Sequence, residues 1–148
     1  MQTKRIIGYD LARALAIFGM VIVNYKVMMG GVAGSEWLKW LASLFEGRAA
    51  ATSIVLILIC IHHSEKFNDS FIVKALVQTG QLALTFYVAH VIIGMGILEE
   101  MSFLYNQSIE MVWIAGITFN LSAILFATFW KLKFKTGPLE LVFRMVAS

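Results

Sequence analysis

Apolar residues run in four long tracts separated by short polar stretches. The first, about 10–29, follows Lys4-Arg5 and ends at a loop of small residues, Gly30 to Glu36. The second, about 39–61, opens on Trp37 and Trp40, which suit a membrane–water interface. It carries Glu46 and Arg48 in its outer part. A break at Gly47 would instead leave 37–45 on the surface, with a short span after it. The third, about 72–98, follows the polar stretch His62 to Ser70. The fourth, about 111–130, lies between an acidic loop, Glu99 to Glu110, and Lys131, Lys133 and Lys135. Each tract is close to the roughly 20 residues that cross a bilayer as a helix. The pattern predicts about four transmembrane helices in one integral, all-α membrane domain over 1–148. After them Gly137-Pro138 makes a turn. Leu139, Val142, Phe143 and Val146 then recur at helical spacing, which predicts a short interfacial amphipathic helix over 137–147.

Composition narrows the class. Of 148 residues, 59% are hydrophobic and 14% charged, against roughly 25% charged in an average soluble domain. The bilayer is therefore the first expected partner, and no large soluble domain fits in the remaining residues. The net charge of +3 comes from scattered basic residues, so a nucleic-acid partner has no support. Oligomerisation, or association with other membrane subunits, is left open. Lys4, Arg5, Lys66 and Lys131 to Lys135 fall on one side of the predicted spans. The other side holds Lys26 and Lys39, near span ends, with Glu36, Glu99, Glu100 and Glu110. The positive-inside rule then places both termini in the cytoplasm. Asp10 and Arg13, at the head of the first apolar tract, argue against a cleaved signal peptide. Cys60, alone in an apolar run, reads as a buried filler and has no partner for an internal disulfide.

Polar groups inside apolar helices are costly and mark interiors or functional sites. Asp10 and Arg13 are three apart and can pair on one helical face. Asn24, fourteen residues on, returns to that face. Gly8, Ala12, Ala16 and Gly19 offer a smooth surface for another helix. Glu46 and Arg48 point to different faces of one helix, so each needs a partner elsewhere, and Asn24 is within reach of Glu46. On the third helix Gln78, Gln81 and Thr85 form one polar face, and Gly80, Tyr87, His90 and Gly94 another. From spacing alone His90 fits either a hydrogen-bonded packing residue or a catalytic or substrate-contacting one. His62-His63 reads as a solvated loop, because no cysteine or second histidine pair completes a metal site. No phosphate-binding loop, nucleophile elbow or Cys-x-x-Cys is present.

Two blocks carry a resemblance. One joins Arg5-Ile-Ile-Gly-Tyr-Asp-Leu-Ala-Arg13 through Asn24 to Leu44-Phe-Glu-Gly-Arg48. The other joins Gly80-Gln-Leu-Ala-Leu-Thr85 through His90 to Thr136-Gly-Pro-Leu-Glu140 and Arg144. Together they resemble the opening and the ending of YeiB-like bacterial membrane proteins, related to heparan-α-glucosaminide N-acetyltransferase. The central spans of such proteins are absent between the blocks, with the apparent join near 59–66. The histidine that the eukaryotic acetyltransferase carries after its first helix has no counterpart in 25–45. The resemblance implies a multi-pass inner-membrane protein. It also implies acyl transfer from an acyl-CoA co-substrate to a hydroxyl or amine, with no bound cofactor. His90 would then be the catalytic base. Asp10, Arg13, Asn24, Glu46, Arg48 and Tyr87 would shape the substrate-binding polar interior, and Arg5, Arg13 or Arg144 would meet the acyl-CoA phosphates. A small proton-coupled transporter using Glu46, and a non-catalytic membrane subunit, are the rival readings.

Overall fold

The computed structural model describes residues 7–46, 70–134 and 136–146. Helix α1 spans Ile7–Met29. A short helix α2, Glu36–Ser43, follows the glycine loop. The third tract forms α3 (Phe71–Gln81), α4 (Ala83–Ala89), a π-helical segment His90–Met95 and α5 (Gly96–Glu100). Helix α6 spans Ile109–Lys133 and α7 spans Pro138–Val146. Among the described residues three helical stretches are long and apolar enough to cross a membrane: Gly8–Met29, Ala83–Glu100 and Ile109–Lys133. The protein is an all-α membrane protein.

One predicted element takes a different form, and another is described only in part. The second span, 39–61, begins within α2, which stops at Ser43 and turns over Leu44–Glu46. Residues 47–61 lie outside the described residues. The third span, 72–98, is not one helix. It bends at Leu82, whose backbone (φ −103°, ψ 27°) leaves the helical region, and α4 restarts beyond it.

Side-chain contacts fix the directions of the spans. Asp10 meets Gln81 at one end of α1, and Asn24 meets His90 toward the other. Residues 81–100 therefore run parallel to α1. Helix α6 runs antiparallel to both: Asn120 reaches the carbonyl of Phe18, and Gly116 lies against Ile22. Met29 and Gln81 consequently sit at opposite ends of the bundle. Helix α3 lies against both α1 and α6.

Small residues make these approaches close. Gly116, Asn120, Ala123 and Ala127 are buried at spacings of four, three and four along α6, a seam that lets backbones draw together without bulky side chains. On α1, Gly19 lies beneath the ring of Phe45. The core fills with Ile17, Val21, Ile22, Tyr25 and Met29 from α1, Leu82, Phe86 and Leu98 from the bent third tract, and Val112 from α6. The opposite face of α6 leaves Leu121, Leu125, Phe129 and Leu132 exposed, as suits a helix facing lipid.

At the Met29 end the loops are tied together. The last carbonyls of α1 lack partners within the helix. Met28 and Met29 accept hydrogen bonds from the backbone N–H groups of Tyr105 and Gln107. Ser102, Tyr105 and Asn106 adopt positive φ to make this connection. The Glu110 carboxylate takes the N–H of Ser35 at 2.7 Å.

Candidate functional site

His90 is fully buried, at the first position of the π-helical segment. Its Nδ1 lies 3.2 Å from the Phe86 carbonyl oxygen, one helical turn back. A carbonyl only accepts, so Nδ1 carries the proton. Nε2 then presents a lone pair, and the Asn24 amide nitrogen donates to it at 2.9 Å. The imidazole is thus held at both ring nitrogens between α1 and the third tract. Tyr87 and Phe119 stand edge-on to its ring at 5.7 and 6.4 Å. Tyr87 itself is 51% exposed; three residues before His90, it forms the outer side of the same wall.

A second polar cluster lies at the other end of α1, fourteen residues or about 21 Å away along the helix. The Asp10 side chain is 3% exposed, and its carboxylate accepts from the Gln81 amide at 3.2 Å. Arg13 approaches it at 3.7 Å but is 65% exposed. Gly80 makes this contact: a Cβ there would meet the Asp10 carbonyl.

The restart of the third tract is capped from a distance. Helix α4 begins at Ala83 with no capping side chain of its own, so its first N–H groups need acceptors. Glu140 supplies them. Its Oε1 accepts from the N–H groups of Leu84 and Thr85 at 3.0 and 3.2 Å, and its Oε2 accepts from the Thr85 hydroxyl. The Leu139 N–H donates back to Thr85 Oγ1 at 3.3 Å. The Gly137-Pro138 turn aims this carboxylate, and the glycine packs on Leu82. Helix α7, expected as an interfacial amphipath, is therefore also pinned to the bundle.

The residues expected to form one polar interior are divided among these places. Asn24 joins His90 rather than Glu46. Glu46 pairs with Lys26 at 2.9 Å, and its side chain is 38% exposed. Lys26, in the last turn of α1, supplies this partner through its long stem. Arg48 and Arg5 lie outside the described residues, and Arg144 falls on α7. Gln81 was legible as polar, but its pairing with Asp10 was not. Glu140 and Thr85 carry no sequence signal for each other, being 55 residues apart. Among the described residues no group of three histidine, cysteine or acidic side chains could hold a metal ion. Also among them, Gln78 Oε1 and Asn120 Oδ1 are buried without a hydrogen-bond partner.

Both blocks that carry the resemblance thus meet in three dimensions, Asp10 with Gln81 and Asn24 with His90. A family described as proteins of unknown function, DUF418, matches residues 2–148. The chain belongs to the DUF418 family. The match takes in both YeiB-like blocks. No curated protein and no solved structure matches the chain. In this DUF418 protein the buried polar contacts between α1 and the third tract are made by residues of those two blocks.

Proposed function

We propose that this DUF418 protein takes part in acyl transfer at the bacterial inner membrane, with His90 as the general base and both termini in the cytoplasm. An acyl-CoA is the donor, and a hydroxyl or amine is the acceptor. The carrying observation is the state of His90. A base needs an unprotonated nitrogen and an oriented ring. The Phe86 carbonyl holds the proton on Nδ1, and Nε2 faces only the uncharged amide of Asn24. An acceptor hydroxyl in the place of that amide would give its proton to Nε2 as its oxygen attacks the thioester carbonyl. The carbon–sulfur bond then breaks, and the leaving thiolate takes the proton from the imidazolium.

A second reading is favoured by the complete burial of His90. With both ring nitrogens hydrogen-bonded, the residue serves as a clamp between two spans of a non-catalytic subunit. The transporter reading asked for a membrane-embedded acid at Glu46, which here pairs with Lys26 at 2.9 Å and is 38% exposed.

Transfer of radiolabelled acetyl groups from acetyl-CoA to amphiphilic hydroxyl and amine acceptors, in proteoliposomes, separates these readings. Acyl transfer by His90 predicts turnover in the unsubstituted chain and a loss of about 10²-fold or more in His90→Gln, with unchanged thermal unfolding. Folded protein without turnover, or full turnover in His90→Gln, contradicts it.

A further inference from the structure

The π-helical segment and α6 do not close on each other along their whole length. Between them runs an apolar groove of about 420 Å³ that opens on the side of the bundle. Gly94 and Ala115 line it without bulk, and Ile97, Met111, Thr118 and Ser122 are among its other walls. The π-helical backbone contributes, because its wider turn shifts side chains out of the regular helical rows. Gly94 contributes too: a Cβ there would meet the Tyr25 hydroxyl.

We propose that this groove binds one acyl chain of a membrane lipid from the leaflet on the Met29 side. Three observations select that occupant. The first is depth. On α6 the groove runs from Met111 near the helix start to Ser122, eleven residues or about 16 Å. One leaflet of a hydrocarbon core roughly 30 Å thick is about 15 Å deep. The second is chemistry. Among the described residues the only polar side-chain groups on the walls are the hydroxyls of Tyr25, Thr118 and Ser122, and that of Ser122 is already bonded to the Thr118 carbonyl at 2.8 Å. A solvated or charged ligand finds no counterpart there. The third is shape. Helix pairs in membranes meet through small residues that bring backbones close. Here the rim carries Ile93, Ile97 and Ile114, each more than half exposed. Met29, Met101 and Met111 stand at the outer end. Thioether side chains of this kind mould to irregular, flexible partners. An acyl chain satisfies all three, and it is the medium that already surrounds the opening. The site stands independently of the acyl-transfer reading, since none of its contacts uses His90.

The test uses the full chain in vesicles of phosphatidylethanolamine and phosphatidylglycerol containing a trace of phospholipid with a mid-tail diazirine. After photolysis, labelled positions are mapped by peptide mass spectrometry. The groove predicts label concentrated on Ile97, Ile114 and Thr118, above that on the open lipid-facing residues Leu121 and Leu125. Ala115→Phe, which fills the groove, removes the excess. If that variant does not fold, Ser122→Phe serves at the deep end, and the distribution in the unsubstituted chain already decides. Even labelling of all lipid-facing residues overturns the proposal. So do protein–protein crosslinks at Ile97 and Ile114 without lipid label, which would make the groove a contact between copies.

Discussion

At the residue scale, the charges buried in this protein are not equivalent. Asp10 is almost wholly enclosed, whereas its ion-pair partner Arg13 points outward. A pair held at 3.7 Å with its cation in solvent contributes about 0–1 kcal/mol. A buried amide deprived of its acceptor costs about 1–3 kcal/mol. Asp10→Ala strands the half-buried Gln81 amide as well as removing the pair, and should lower stability by about 1–2 kcal/mol. Arg13→Ala should cost no more than about 1 kcal/mol. Thermal unfolding in detergent, followed by helicity, measures both; equal losses would contradict the asymmetry. The Asp10–Arg13 pairing itself was legible from their spacing of three. Asn24 was legible as sharing their face, but its partner was not. Spacing tells which way a residue points along its own helix and nothing about which side chain of another helix arrives there. Lys26 took Glu46 from a position that reads as a span end, because a lysine stem reaches well beyond its own turn.

At the element scale, the first and last spans were readable and the interruption of the third was not. Observed α1 and α6 extend the expected 10–29 and 111–130 by only a few residues, since long apolar tracts determine such helices almost alone. Leu82 announces nothing, having neither glycine nor proline beside it to mark a bend. The break is stable because Glu140 receives the N–H groups that the break exposes, and that is a tertiary event. Glu140→Ala should speed hydrogen exchange at the Leu84 and Thr85 amides. It should destabilise the fold by about 1–2 kcal/mol, as loss of a helix cap does. Glu140→Gln, which keeps an acceptor oxygen, should do less. Unaltered exchange at both amides in Glu140→Ala would remove the capping role. Two glycines test the packing in the same way. Gly80→Ala drives a methyl into the Asp10 backbone and should separate α1 from α3, whatever helix propensity it gains. Gly96 faces open space, so Gly96→Ala should instead stabilise by up to about 1 kcal/mol. Unfolding midpoints moving in the same direction would contradict the close approach at Gly80.

At the scale of the whole molecule, the candidate site depends on direction. His90 meets Asn24, and Gln81 meets Asp10, only because residues 81–100 run the same way as α1. That arrangement brings the two YeiB-like blocks together, and no periodicity within either block contains it. Sidedness tests this most directly. In a Cys60→Ser background, single cysteines replace Tyr9, Ser35, Asn106 or Lys133, and intact cells meet a membrane-impermeant maleimide. With both termini in the cytoplasm, Ser35→Cys and Asn106→Cys should label from outside, and Tyr9→Cys and Lys133→Cys only after permeabilisation. Labelling of Asn106→Cys on the same side as Tyr9→Cys, opposite Ser35→Cys, would reverse the third tract and contradict the account.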